Sequence, residues 1–177
     1  IYSTLDELVK VRPAFISVTY GAGGNGTDNR TAEIASIVKN KYGVESVAHL
    51  SCLYNSCSDV DETLRRLRDC GVDNILALRG DVVPDVPILN DFRYASDLVR
   101  YIAKSDIGDF DLCGACYPEG HVEAENLEKD VENLKIKVDA GATHLISQLF
   151  FDNDYYYDFL DMAAKKGVNV PIEAGIM

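Results

Sequence analysis

Six apolar, β-prone runs recur along the chain at residues 14–20, 44–50, 74–78, 112–116, 144–150 and 171–174, and each closes on polar residues or glycine. The first runs into Gly21, the second carries His49 and runs into Ser51 and Cys52, and the third runs into Arg79-Gly80-Asp81. The fourth runs into Tyr117-Pro118-Glu119-Gly120-His121, the fifth carries Gln148, and the sixth ends in Gly175. Between them, apolar residues spaced by three and four predict helices over 30–41, 58–69, 95–104, 126–139 and 154–166. Ile34, Ile37 and Val38 make one stripe, Leu64 and Leu67 a second, and Val131, Leu134 and Val138 a third. Gly71, Gly141 and Gly167 each stop a helix ahead of a strand. Residues 81–94, with Pro84 and Pro87, read as a loop beyond a strand's carboxyl end. The β-α alternation predicts an α/β fold, and functional groups at the carboxyl ends of successive parallel strands point to a TIM-type (β/α)8 barrel. A single composite site then requires Asp81, Thr19, His49, Tyr117 and Gln148 on one side of the sheet.

Composition narrows the options. At 177 residues and 47% hydrophobic content the chain supports one core, so residues 1–177 read as one unit. Acidic residues outnumber basic ones 29 to 17, a net charge of -12 spread along the helices. With no Lys/Arg stripe, nucleic acid is not an expected partner. No run reaches the roughly 18 apolar residues of a membrane span, and no signal peptide opens the chain, so a soluble cytoplasmic protein is expected.

Five cysteines (Cys52, Cys57, Cys70, Cys113 and Cys116) suggest reduced thiols rather than a disulfide framework. Cys113 and Cys116 have CxxC spacing, but on a strand residues three apart face opposite ways, so no metal site is expected there. Gly21, Gly23 and Gly26 form a GxGxxG pattern after a strand, the context of a dinucleotide fingerprint. Thr27-Asp28-Asn29 delay the helix, however, and the second strand closes on His49-Leu50-Ser51 rather than on an acid. The pattern reads as a βα loop beside a ligand, with a Rossmann fold as the weaker alternative.

Six segments together carry a family resemblance: Val18 to Gly24, His49 to Cys52, Leu76 to Asp81, Tyr117 to His121, Lys137 to Ala142 and Gln148 to Asp152. In order and near-spacing they resemble the signature segments of the methylenetetrahydrofolate reductase family. The resemblance implies a TIM barrel that binds FAD, takes a hydride from NAD(P)H and reduces 5,10-methylenetetrahydrofolate to 5-methyltetrahydrofolate. It implies that Asp81 lies beside the flavin and favours a cationic folate, and that Gln148 binds nicotinamide and pterin in turn. It further implies cofactor contacts from Thr19, His49, Arg79, Gly80, Tyr94, Ala95, Tyr117, His121, Asp130, Asn133 and Lys137. Residues 130, 133 and 137 are i, i+3 and i+7, hence on one helix face. Without the resemblance that face would read as solvated, His49 as a core histidine, and Asp81 as a cap or loop aspartate.

Departures shape the expectation as much as matches. The family's first strand carries a glutamate that acts as general acid, and nothing before Tyr2 supplies one; Glu7 is helical by pattern and no substitute. Ile136 stands where a basic residue often helps bind the cofactor phosphates, Val122 where proline is common, and Ala174 where proline often precedes Gly-Ile. The chain is therefore expected to be an incomplete barrel, lacking the first strand and the C-terminal end and inactive by itself. A homo-oligomer is expected from the family. The alternatives are a pterin-binding barrel methyltransferase without flavin, or a catalytically silent FAD-binding or assembly module.

Overall fold

The computed structural model describes residues 2–19 and 30–176, so the Gly21, Gly23 and Gly26 pattern and Tyr20 lie outside the described residues. Six strands pair in parallel and in chain order: β1 (Phe15–Val18), β2 (Glu45–Ser51), β3 (Asn74–Leu78), β4 (Asp111–Cys116), β5 (His144–Ser147) and β6 (Ile172–Glu173). In register, Val18 faces Ala48, His49 faces Leu76, Leu76 faces Cys113 and Cys113 faces His144. A doubly wound sheet would reverse its strand order at a switch point; this sheet does not, so it is a half-barrel with β1 and β6 at its edges.

Helix α1 (Tyr2–Leu8) precedes β1, and α2 (Arg30–Ser36), α3 (Cys57–Asp69), α4 (Ala95–Ala103), α5 (Leu127–Asp139) and α6 (Asn153–Lys165) fill the intervals between strands. Glu7 lies in α1, as its pattern predicts. The helix expected over 30–41 changes character midway, since α2 passes into a π-helical turn over Ile37–Lys41. That wider turn leaves Val38 fully buried while Lys39 reaches Asp73 at 2.6 Å. Helix α3 is capped by Ser56, not Ser58: Ser56 Oγ accepts from the Asp59 amide and the Asp59 carboxylate accepts from the Ser56 amide, a capping box.

The fifth strand is shorter than its apolar run suggests. It ends at Ser147, whose Oγ donates to the Gln148 carbonyl and accepts from the Gly175 amide, pulling the chain out of the ladder. Phe150 then turns out of the sheet to stack on Tyr156 of α6, with ring centroids 4.7 Å apart.

Period-two alternation separates two faces. Ala48, Leu50, Ile75, Ala77 and Leu112 are buried in the largest cluster together with Val38, Leu64, Leu67 and Leu98 of the surrounding helical segments. Cys116 and Leu145 pack with Val131, Leu134 and Phe159 in a second cluster. Val47, Leu76 and Cys113 form a smaller cluster on the inner face, where alternation also puts His49. Cys113 and Cys116 thus occupy different clusters on opposite faces, and burial pushes their thiols up to about 11 and about 12. All five cysteines are free thiols. No helix among the described residues is long and apolar enough to cross a membrane.

Gly114 of β4 lies under the Lys137 side chain of α5. A Cβ there would meet Lys137 Cδ at 2.6 Å and Leu145 Cδ2 at 3.1 Å. Gly114→Ala should therefore cost about 1–3 kcal/mol by overpacking, read as a lower urea midpoint at unchanged slope.

Burial lowers the pKa of His49, whose Nε2 is buried with no hydrogen-bond partner among the described residues. A histidine held neutral in the fold but free to protonate when unfolded contributes stability above its unfolded pKa and loses it as pH falls through that value. Wild-type stability should decline from pH 7.5 to 5.5, and His49→Gln should flatten that slope in urea titrations.

Candidate functional site

A cavity of about 1060 Å³ opens beyond the carboxyl ends of β3 and β4, between α4 and α5. Of the residues singled out from the sequence, Arg79, Tyr94, Ala95, Tyr117, His121, Asp130, Asn133 and Lys137 all line it. The parallel strands deliver Arg79 and Tyr117 directly past their ends, whereas Tyr94 and Ala95 arrive at the start of α4. Asp97 holds that start by accepting from the Arg93 and Tyr94 amides, at 3.1 and 2.9 Å. Four cations (Arg79, Arg93, Arg100 and Lys137) and three acids (Asp97, Glu123 and Asp130) line the cavity, so its wall is net positive in a chain of net charge -12. That local excess suits an anionic ligand.

Helix α5 presents 130, 133 and 137 to the cavity as their spacing predicts, with Ile136 beside them. Lys137 Nζ donates to the Ala115 carbonyl at 2.5 Å, its stem lying across Gly114. Burial lowers its pKa, opposed by electrostatic interaction with Cys116 and Asp130. Asp130 moves the other way: burial raises its carboxyl, against the His121 amide that donates to it at 3.0 Å. Tyr117 stacks edge-on to His121, and burial first, then Asp130, raises its phenol, keeping it neutral. Lys135 faces elsewhere and pairs with Asp139.

Thr19, His49, Gly80, Asp81 and Gln148 do not line this cavity; each stands at or near the carboxyl end of a parallel strand, the end that forms the mouth of the half-barrel. Thr19 directly follows β1, Gln148 directly follows β5, and Asp81 stands three residues past β3. His49 lies within β2, two residues short of its end. All five are therefore toward the carboxyl ends of parallel strands, and Asp81 is near enough to raise the Tyr117 pKa. The Thr19 carbonyl accepts from the Thr31 hydroxyl at 3.1 Å, and the Gln148 backbone N–H donates to the Cys116 carbonyl at 2.7 Å. Gly80 has φ +88, and a Cβ there would come within 3.1 Å of Ser51 Cβ, so only glycine suits this turn.

The sequence reading missed Glu123. Its carboxylate takes the Arg79 guanidinium head-on, at 2.5 and 2.8 Å, which lowers the Glu123 pKa and raises that of Arg79. Arg93, Asp97 and Arg100 also went unmarked. Local spacing carries no signal for Glu123, because its partner lies 44 residues away on another strand end.

The family model for methylenetetrahydrofolate reductase matches residues 1–177. The chain is 38% identical over 177 residues to the 5,10-methylenetetrahydrofolate reductase of Escherichia coli (strain K12), covering all of this chain and 58% of that protein. It is 38% identical over 181 residues to methylenetetrahydrofolate reductase 1 of Schizosaccharomyces pombe, covering all of this chain and 30% of that protein. The chain thus spans under two thirds of the length of these curated relatives. Among solved structures, a 2,3-dimethylmalate lyase superposes with TM-score 0.65 at 15% identity, over 96% of this chain and 70% of that one. A Clostridium thermocellum protein that binds two copies of 5-methyl-5,6,7,8-tetrahydrofolic acid superposes with TM-score 0.56 at 15% identity, over 96% and 68%. These two likenesses establish the fold, a parallel α/β half-barrel, while the match along its whole length establishes that the chain belongs to the methylenetetrahydrofolate reductase family.

Proposed function

We propose that the protein is a flavin-dependent reductase that converts 5,10-methylenetetrahydrofolate to 5-methyltetrahydrofolate, with FAD as its cofactor and NADH or NADPH as hydride donor. The observation that carries this reading is that eight of the residues singled out by the resemblance line one cavity past the ends of β3 and β4. A volume near 1060 Å³ with a net positive wall suits a dinucleotide. When bound, FAD supplies hydride transfer between the nicotinamide and the folate.

The chain's residues divide the work. Arg79 and Lys137 offer positive charge for the pyrophosphate, Tyr94 and Ala95 a surface for the adenosine or ribityl portion, and Asp130 and Asn133 polar groups along the same wall. Ile136 contributes no charge, so Arg79 and Lys137 carry that duty. At the mouth, Thr19 and His49 would meet the ring, with Gly80 allowing the backbone close. Asp81 sets a fixed negative charge there, disfavouring further negative charge on the ring and favouring a cationic folate. Gln148 is exposed, so its amide is open to nicotinamide and pterin in turn. We further infer that strands beyond these six cover the β1 and β6 edges and supply the general acid that protonates the folate.

The direct test is purification of the full-length protein. A yellow preparation with an oxidised-flavin spectrum and turnover of methylenetetrahydrofolate is expected. A colourless protein that still bound folate would favour the pterin-binding methyltransferase instead.

Two substitutions probe the division of labour. Lys137→Ala should weaken flavin retention by roughly 1–3 kcal/mol, the scale of a charge-assisted hydrogen bond, while Lys135→Ala should leave it unchanged. Equal losses would return this helix face to solvent. Asp81→Asn should make the bound flavin easier to reduce and slow folate reduction more than reduction by the donor. Stopped-flow measurement of both half-reactions, with the flavin potential, decides it: equal slowing at unchanged potential removes Asp81 from this role.

A further inference from the structure

Arg79 and Glu123 come from two different βα connections, and among the described residues theirs is the ion pair that ties the end of β3 to the turn after β4. The Arg79 backbone is pinned, its carbonyl accepting from the Cys52 and Leu53 amides at 3.2 and 3.0 Å. Glu123 is held as firmly. Its own N–H donates to His121 Nδ1 at 3.2 Å, and the Ala124 N–H donates to the His121 carbonyl at 2.9 Å. The His121 N–H in turn donates to the Asp130 carboxylate at 3.0 Å. A continuous run of contacts therefore leads from α5 through the turn to the Arg79 guanidinium at the cavity wall.

The head-on pairing engages two of the five guanidinium N–H donors and fixes the plane of the group. We propose that Glu123 is a positioning residue: it holds Arg79 so that the donors it leaves unengaged meet the anionic part of the dinucleotide cofactor. The proposal rests on the FAD reading above and adds a residue to it. A guanidinium already held in one orientation gives up less freedom when a phosphate arrives, so binding gains from preorganisation. Charge alone argues the reverse, since removing a carboxylate from the wall should tighten an anionic ligand. Geometry and charge thus predict opposite signs.

The experiment uses the full-length protein, stripped of flavin and titrated with FAD. Glu123→Gln should raise the dissociation constant about tenfold, the usual scale for losing the partner that orients a ligand-binding side chain. Glu123→Asp keeps the charge but shortens the reach, and should loosen FAD as well. In an Arg79→Ala background, Glu123→Gln should change affinity less than about twofold, because the two residues act as one unit. Unchanged or tighter binding in Glu123→Gln would overturn the proposal. So would unchanged binding in Glu123→Asp, or an equal loss with and without Arg79, which would mean that Glu123 acts through the turn rather than through the guanidinium. Glu123 is half exposed, and the melting temperature of the flavin-free variants checks that the fold is intact. A wild-type protein that bound no FAD would fail the functional reading itself, an outcome distinct from wild-type binding that the variants leave intact.

Discussion

Parallel pairing in chain order is the constraint on which every other feature of the site depends. Each helix must return the chain to the starting edge of the sheet, so every strand ends on the same side. Residues that follow those ends, Thr19, Arg79, Gly80, Asp81, Tyr117 and Gln148, have no other side to occupy. The helices then fix how far the groups spread, because α4 and α5 flank the cavity with Ala95 and Lys137 on its walls.

Close approach of α5 to β4 is the second determinant. Gly114 leaves room for the Lys137 stem, and the ammonium reaches the Ala115 carbonyl instead of solvent. Burial weakens its hold on a proton, while Asp130, about two helical turns away on the same face, strengthens it. Asp130 is itself pushed toward the neutral form by burial and held back by the His121 amide and the Lys137 charge. The two groups limit each other's excursions. The cavity wall thus carries four basic and three acidic side chains inside a chain that is acidic overall.

The same packing keeps the buried cysteines protonated. Cys52 and Cys116 are buried, and burial pushes both thiols up to about 12, far from the thiolate that reactive cysteines need. The CxxC pair is divided by the sheet itself, with Cys113 inside and Cys116 under α5 and α6. A spacing that suggests redox or metal chemistry on a turn becomes packing on a strand.

The sequence by itself determined the alternation of strands and helices, the barrel-type order, and which residues stand at strand ends, because those depend on local periodicity and on rules of connection. It also put 130, 133 and 137 on one helix face, since 3.6 residues per turn is a property of the helix alone. Several boundaries were decided only by tertiary contacts: Ser147 is drawn aside by Gly175, Phe150 leaves the sheet for Tyr156, and the π-turn sets Val38 inward. The extent of the cavity was also beyond the sequence, since its walls come together from α4, α5 and the segments after β2, β3 and β4. So was Glu123 on Arg79. Two residues 44 positions apart have no shared period, and only the fold brings their side chains within 2.8 Å.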